Sequence, residues 1–151
     1  MASPIQRPPS LLALPTFLAG WVSRRARADL QQALGEQDLG TADYGVLVAL
    51  ADFGALSQQQ LADRLDADKS HVVRLIDGLE QSRLVSRAPD PSDRRRHSID
   101  LTPAGHKVLA AVMPSIEKIE AANFGTLTAD ERRTLTTLLR RVLDIQDQAG
   151  A

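Results

Sequence analysis

The sequence contains no cysteine among its 151 residues. This absence excludes disulfide bonds, zinc sites built on thiolates and redox sensing through a cysteine. The chain has only three histidines, His71, His97 and His106, and they lie too far apart for a short metal-binding motif. We therefore expect neither a metal nor another cofactor.

Long hydrophobic runs are also missing. The segment LLALPTFLAGWV is interrupted by Pro15 and followed by Arg24 and Arg25, so it is shorter than the roughly 18 to 20 apolar residues of a membrane span. Residues 1–10 carry one charge, and no small-residue cleavage site follows the apolar part, so no signal peptide is predicted. The composition, 43% hydrophobic and 25% charged, is typical of a soluble protein, which we expect in the cytoplasm and away from membranes.

Charge of one sign is not in excess. The net charge of the chain is −1, and residues 57–105 contain eight Lys or Arg against eight Asp or Glu. Nucleic-acid-binding domains usually show a basic surplus or a basic stripe. Any nucleic-acid function of this chain must therefore follow from the arrangement of its cations.

The first third of the chain predicts a flexible arm and two helices. Residues 1–10 contain three prolines and show no periodicity, which predicts the arm. Apolar residues then recur at helical spacing from Pro15, and Gly35 is placed to terminate this helix. A second helix is expected to begin at Thr41, whose hydroxyl would cap it, and to end at Gly54.

The next segment matches two helices joined by a short turn. Ser57 and Gln60 form a capping-box pattern for the first of them, and Asp68 is the predicted cap of the second. The second helix has an apolar stripe and a polar face, which consist of Val72, Leu75, Ile76 and Leu79 and of Ser70, His71, Arg74 and Asp77, respectively. Such a pair, with small polar and basic residues near the start of its second helix, is typical of a helix-turn-helix.

A β-hairpin is predicted after this pair. The segments RLVSRAP and RHSIDLT are predicted as strands around the turn-rich loop PDPSDRR, and a charged hairpin in this position is typical of a wing. Thr102 and Pro103 then begin a long helix, which Pro114 is expected to kink or interrupt, and Thr128–Glu131 is a capping box for the last helix. The predicted fold class is mainly α, a winged helix-turn-helix in which everything outside the hairpin is helical.

The polar face and the hairpin tip carry the candidate DNA contacts. A helix start can enter the major groove, where Lys69 and Ser70 would contact phosphates and His71 and Arg74 would contact base edges. Arginines at the hairpin tip can enter a minor groove, and an aspartate there can orient a guanidinium or cap the turn. The predicted DNA-binding set is Ser57, Lys69, Ser70, His71, Arg74, Asp93, Arg94, Arg95 and Arg96. The alternatives are a solvated helix face with an Arg74–Asp77 ion pair and a solvated charged loop.

The stretch DPSDRRRHSIDLTPAG resembles the wing signature of the MarR family of winged-helix transcription regulators. In that signature D-x-R is followed by five residues and L-T, and the matching positions are occupied by Asp93, Arg95, Leu101 and Thr102, with Gly105 completing L-T-x-x-G. The upstream segment LADRLDADKSHVVRLIDGLEQSRLVSR is similar to the helix-turn-helix of the family. The resemblance extends over residues from about 11 to 147.

The resemblance implies a homodimer that binds pseudo-palindromic double-stranded DNA. It assigns residues 11–35 and 103–147 to a helical dimerisation region and residues 41–102 to a DNA-binding lobe. The candidate dimer contacts are apolar side chains near both ends of the chain, namely Leu11, Leu14, Phe17, Leu138, Leu139 and Val142. Without the resemblance, burial in an intramolecular core explains these apolar faces equally well.

The resemblance also implies a small-molecule effector. Members of the family commonly respond to small anionic aromatic compounds, and the candidate ligand contacts here are Trp21, Arg24, Arg25, Tyr44 and His106. The alternative places Trp21 in an ordinary core and the arginines on the surface. The missing cysteine excludes the thiol-based peroxide sensing known in the family.

The leading functional hypothesis is a homodimeric repressor that a ligand releases from its promoter. The alternative is a winged-helix module for protein interaction without DNA binding. The retained cations Lys69, Arg74 and Arg94 to Arg96 argue against it. An enzyme is not expected, because no nucleophile, carboxylate pair or phosphate loop has a suitable setting. Ser70 and His71 are adjacent, so they point in different directions on a helix.

Overall fold

The computed structural model describes residues 6–89 and 97–144. In these residues the elements follow in the order α1 (Pro9–Leu12), α2 (Pro15–Gly35), α3 (Thr41–Phe53), β1 (Leu56–Ser57), α4 (Gln58–Leu65), α5 (Lys69–Gln81), β2 (Val85–Pro89), β3 (His97–Leu101), α6 (Pro103–Phe124) and α7 (Ala129–Val142). The fold is mainly helical with a small antiparallel sheet, as predicted. None of the helices in the described ranges combines the length and apolar character that a bilayer span requires.

Contacts within the chain group its residues into two compact units. The terminal unit comprises the described parts of Met1–Ala26 and Lys118–Ala151, and the central unit comprises those of Arg27–Glu117. The helix-turn-helix and the hairpin strands both lie in the central unit. Helix α1 begins within the segment predicted as an arm. The division into a flexible arm, a dimerisation region and a DNA-binding lobe stays a prediction.

An apolar cluster forms the interior of the central unit. Its fully buried members come from α2 to α6 and from the sheet, and the largest are Leu34, Leu47, Leu50, Leu61, Ile76 and Ile99. The predicted stripe of α5 faces this core, because Val72, Ile76 and Leu79 are buried. Burial of such a side chain contributes about 1.5–3 kcal/mol, so the cluster is the main stabilising feature of the unit.

The hairpin belongs to a three-stranded antiparallel sheet with the order β1-β3-β2. Strands β2 and β3 pair in a register that sets Val85 opposite Leu101, which confirms the predicted hairpin. The prediction that everything outside the hairpin is helical was wrong, because Leu56–Ser57 pairs with β3 on its other side. Two residues are too few for an alternating pattern, so the sequence carried no strand signal there.

Helix α2 ends later than predicted. The helix includes Gly35, and the left-handed residue that closes it is Asp38, with φ of 55°. This turn lets the N–H of Leu39 donate to the carbonyl of Leu34 at 3.0 Å. Aspartate tolerates the left-handed conformation because its short polar side chain can bond locally, so a glycine is not required.

Helix α3 begins without the predicted side-chain cap. Gly40 precedes the helix, and Thr41 is its first residue rather than its cap. The Asp43 carboxylate accepts the N–H of Gly40 at 2.9 Å and so satisfies one donor at the helix start. The predicted end at Gly54 is confirmed, because this residue has φ of 74° and its N–H donates to the Leu50 carbonyl.

Both predicted capping boxes are present. The Ser57 hydroxyl accepts the N–H of Gln60 at 3.2 Å, and the Gln60 side chain accepts the N–H of Ser57 at 2.9 Å. At the start of α7, Thr128 and Glu131 exchange the same two bonds. Each box satisfies two backbone donors that the helix itself leaves unpaired.

Helix α6 continues through Pro114. The interruption that this proline predicted does not occur, because Pro103–Phe124 forms one helix of 22 residues. A proline inside a helix removes a backbone donor and crowds the preceding turn, at a cost of about 3 kcal/mol. The remaining helical bonds and the burial of Val112 two residues earlier outweigh that cost.

The chain enters α6 through a close backbone contact. The Thr102 hydroxyl shares its single proton between the carbonyls of Arg83 at 2.7 Å and Leu84 at 3.1 Å, and the Thr102 N–H donates to Leu84 at 3.1 Å. The same hydroxyl oxygen accepts the N–H of Gly105 and so caps the helix, as predicted. A Cβ on Gly105 would lie 2.2 Å from the Leu84 oxygen, so only glycine permits this approach.

Replacing Gly105 by alanine should lower the free energy of unfolding by about 1–3 kcal/mol, because the added methyl group would collide with the Leu84 carbonyl. Gly78→Ala is the matched control, since a Cβ at Gly78 in α5 would meet nothing within 4 Å. Alanine there should raise the stability by about 0.5–1 kcal/mol. Urea denaturation of the three proteins at one concentration measures both effects, and a Gly105→Ala protein as stable as the wild type would contradict the contact.

Candidate nucleic-acid interface

A left-handed turn separates the two helices of the helix-turn-helix. Asp66 has φ of 47°, and the N–H of Ala67 donates to the carbonyl of Ala62 at 3.0 Å, which closes α4. Asp68 follows in an extended conformation and is the N-cap of α5. The predicted pair of helices and the predicted cap of the second are confirmed.

The Asp68 carboxylate satisfies the first backbone donors of α5. Its Oδ1 accepts the N–H of Ser70 at 2.9 Å and the N–H of His71 at 3.1 Å, and it also accepts the Ser70 hydroxyl. The bond from the Ser70 hydroxyl, followed by the two backbone bonds, holds the pKa of Asp68 below its usual value. The N–H groups that make a helix start attractive to phosphate are therefore occupied by a carboxylate of the chain itself.

The predicted DNA contacts of α5 share one end of the helix. Lys69, Ser70, His71 and Arg74 are all exposed. The Ser70 hydroxyl donates its proton to Asp68. The side chains of this set that remain as donors or positive charges for a ligand are therefore Lys69, His71 and Arg74. This end of the helix presents two cations and an imidazole to solvent.

Ser57 has a structural role in the cap of α4. Its hydroxyl accepts the N–H of Gln60, and the residue is half-buried. A contact of Ser57 with DNA stays a prediction.

The predicted tip of the wing lies outside the described residues. This applies to Asp93, Arg94, Arg95 and Arg96, which follow β2 and precede β3 in the chain. The described strands show where the two ends of this segment attach, at Pro89 and His97. The DNA-binding roles of the four tip residues stay predictions.

An ion-pair cluster around Arg87 was missed by the sequence interpretation. The Arg87 guanidinium donates through Nη2 to Asp77 and through Nη1 to Glu80, which joins β2 to α5. Asp77 therefore pairs with Arg87 and not with Arg74, as the alternative interpretation had it. Burial lowers the pKa of Arg87, but the hydrogen bonds and charges of the two carboxylates outweigh burial and raise it. A signal existed in the sequence, since Arg87 lies two residues after the buried Val85 and so shares its face of the strand.

Three of the candidate effector contacts lie on α2 in the terminal unit. Trp21 is half-buried, its ring meets Phe17 edge-on with centroids 6.4 Å apart, and the Arg7 guanidinium lies 4.4 Å from the Trp21 centroid. Arg24 is exposed, and Arg25 donates to a backbone carbonyl of α6 at 3.2 Å. Within this unit Trp21 therefore already contacts a cation.

The other two effector candidates lie in the central unit. Burial, followed by the charge of Asp52, raises the pKa of Tyr44, so its phenol is neutral at physiological pH. His106 is exposed in the first turn of α6. The ligand-binding roles of all five residues stay predictions.

The candidate dimer contacts are largely exposed in the single chain. Leu14, Phe17, Leu138 and Leu139 are exposed, Val142 is 83% exposed, and Leu11 is half-buried. An intramolecular core, the alternative interpretation, does not describe side chains with this exposure. The role of these six residues as dimer contacts stays a prediction.

Known proteins are similar to this chain in sequence and in fold. The model described as MarR family matches residues 37–96. The HTH-type transcriptional repressor NicR of Pseudomonas putida is 32% identical over 127 residues, which are 84% of this chain and 80% of the relative. The chain belongs to the MarR family. It is a transcriptional regulator, and the MarR family is one of regulators rather than enzymes.

Solved structures of MarR-family regulators superpose on the chain. The structure of Bordetella bronchiseptica BpsR, described with regulation of its DNA binding by 6-hydroxynicotinic acid, is 31% identical, with a TM-score of 0.78 over 88% of this chain and 95% of BpsR. A mutant of Escherichia coli MarR in complex with operator DNA is 27% identical, with a TM-score of 0.75 over 83% of this chain and 91% of the other. The predicted winged helix-turn-helix fold is thereby confirmed.

Replacing Asp68 by asparagine should keep the N-cap of α5 but remove the carboxylate that titrates. Asparagine is an equally good N-cap. The pKa of Asp68 is lowered from 3.8 in the folded protein, so its contribution to stability is present above that value and is lost as the pH falls through the folded pKa. At neutral pH the melting temperature of the variant should be close to that of the wild type. Below about pH 4 it should fall less than that of the wild type.

The control for this experiment is Asp68→Ala, which should be less stable than Asp68→Asn at neutral pH because alanine provides no cap. Melting temperatures of the three proteins are measured by calorimetry as a function of pH. Acid slopes that are identical in the wild type and Asp68→Asn would show that the carboxylate does not carry the effect.

Proposed function

We propose that this regulator is a repressor that binds pseudo-palindromic double-stranded DNA as a homodimer. The observation that carries the proposal is the exposure of Lys69, His71 and Arg74 in the first two turns of α5, the helix that Asp68 caps. An α-helix fits the major groove, where lysine and arginine bind phosphates and guanine edges. The name of NicR as a repressor and the operator complex of Escherichia coli MarR support the proposal.

A dimer accounts for DNA binding by a chain with a net charge of −1. Two-fold symmetry duplicates the cations of α5 on one side of the assembly, and association with DNA depends on this local field more than on the total charge. The exposed apolar side chains of the terminal unit, Leu138, Leu139 and Val142 on α7 among them, support such an interface. Two copies of α5 then meet two half-sites of one operator.

Arg95→Ala should weaken operator binding by about fivefold or more, because an arginine in the minor groove contributes to affinity both by charge and by shape recognition. The dimer and its melting temperature should be unchanged. Arg27→Ala, at an exposed position of α2, is the matched control that removes an arginine outside the proposed interface. Fluorescence anisotropy at physiological salt, with labelled DNA from upstream of the gene and with random DNA, measures the affinity, and sedimentation measures the dimer.

Two outcomes of that experiment would contradict these expectations. A wild type that binds the upstream region no better than random DNA would overturn the proposed function. A fall in melting temperature that matches the loss of affinity in Arg95→Ala would make this arginine structural.

A small anionic aromatic compound is the proposed effector. Trp21, Tyr44 and His106 offer aromatic surface, and Arg24 and Arg25 offer positive charge for a carboxylate or phenolate. The regulation of BpsR by 6-hydroxynicotinic acid, an aromatic carboxylate, supports this chemistry. Such a compound releases the operator only if it binds the free and the DNA-bound conformations with different affinity.

Addition of 6-hydroxynicotinic acid and of related aromatic carboxylates to the operator complex should release the labelled DNA. The corresponding neutral amides are the control, because they keep the ring and lose the charge. Arg24→Ala should shift the response to higher concentrations of the acid, by about tenfold for a lost charge-assisted contact. Equal potency of acids and amides would contradict an effector recognised by its charge.

The alternative is a winged-helix module for protein interaction without DNA binding. The exposed cations at the start of α5 favour the DNA-binding function over it. We propose no catalytic activity for the chain, and we place it in the cytoplasm, where a repressor meets its operator.

A further inference from the structure

Strand β2 lies at the edge of the described sheet, where it pairs with β3 alone. Its middle residue is Arg87, which stands opposite Ile99 in the register. Side chains alternate along a strand, so Arg87 shares the face of the buried Val85, and β2 contacts α5. The Arg87 side chain therefore extends from the hairpin to α5.

Two carboxylates on α5 bind the Arg87 guanidinium. Asp77 and Glu80 are three residues apart and lie on one face of the helix. They accept from Nη2 and Nη1, respectively, and only 20% of the Arg87 side chain is exposed. The third guanidinium nitrogen, Nε, is buried and has no hydrogen-bond partner within the described part of the chain. The two carboxylates thus determine where this guanidinium sits.

A contact of this kind fixes an angle that apolar packing does not. Hydrophobic contact is non-directional, whereas a planar guanidinium held at two nitrogens restrains both the position and the orientation of its partners. The partners here are α5, with Arg74 one turn before Asp77, and β2, which leads directly into the predicted wing tip after Pro89. The cluster therefore joins the segment proposed for the major groove to the segment proposed for the minor groove.

We propose that Arg87 is a positioning residue for DNA recognition, which sets the angle of the wing to α5 by binding Asp77 and Glu80. The inference rests on the proposed function, and it does not require Arg87 to touch DNA. Because the angle determines whether helix and wing reach their grooves together, loss of the cluster removes the wing contribution to affinity and leaves the helix contribution in place.

Arg87→Lys keeps the charge and removes the two-nitrogen contact. It should weaken operator binding by about tenfold, the range of one wing contact, and only by about twofold or less when Arg95→Ala has already removed that contact. Glu80→Gln should show the same pattern with a smaller effect, because Asp77 still holds the guanidinium. Arg83→Lys is the matched control, since Arg83 lies in the exposed connection between α5 and β2 and outside the cluster.

Footprinting distinguishes a positioning role from a purely structural one, because it reports the minor-groove and major-groove contacts separately. In Arg87→Lys the hydroxyl-radical protection of the minor groove should be lost, while the methylation protection of guanine N7 in the major groove should persist. Loss of both protections together with a lower melting temperature would make Arg87 a residue of the fold and would overturn the inference.

The mutant cycle also separates this inference from the proposed function. If the wild type shows no preference for its operator, the proposed function fails, and the inference fails with it. If the wild type binds its operator and the losses from Arg87→Lys and Arg95→Ala simply add, or if Arg95→Ala has no effect, only the inference is overturned. If Arg87→Lys does not fold, the cycle is made with Glu80→Gln, whose side chain is 40% exposed.

Discussion

The carbonyl group of Leu84 is the point on which the arrangement of the central unit depends. The backbone and hydroxyl of Thr102 donate to it, and the Cα of Gly105 lies so close that no Cβ fits between them. One residue earlier, Arg83 adopts φ of 59°, and the N–H of Leu84 donates to the carbonyl of Leu79 to end α5. The end of one helix, the start of a strand and the start of another helix are thus tied within a few ångströms of one oxygen atom.

Apolar burial and polar contacts contribute differently to the central unit: the first stabilises it, and the second orients its elements. The apolar cluster that includes Leu47, Ile76 and Ile99 provides most of the free energy that stabilises the fold. Apolar packing alone is compatible with more than one orientation of the helices and the sheet. Directional bonds select one orientation. The Asp68 cap defines where α5 begins, and the Arg87 cluster restrains β2 against it. A binding surface made of exposed side chains gains its geometry from these bonds beneath it.

The features that the sequence predicted well are those decided by neighbouring residues. The caps at Ser57, Asp68 and Thr128 depend on side chains within three positions, so their patterns are visible in the sequence. The end of α2 was misplaced because the burial of Leu39 decides where the chain turns, and Asp38 adopts the left-handed conformation that this requires. The carboxylate partners of Arg87 come from another element, and only the packing of β2 on α5 identifies them.

Within its own residues, helix α5 carries its cations before its carboxylates. Lys69 and Arg74 lie toward the N-terminus and Asp77 and Glu80 toward the C-terminus, whereas the helix dipole favours the reverse order. At the acidic end, the Arg87 guanidinium of β2 supplies positive charge, because it binds both Asp77 and Glu80. At the other end, the Asp68 cap supplies the negative charge that the dipole favours. Charges outside the helix, one directly before its first residue and one on the neighbouring strand, therefore offset the unfavourable charge order within it.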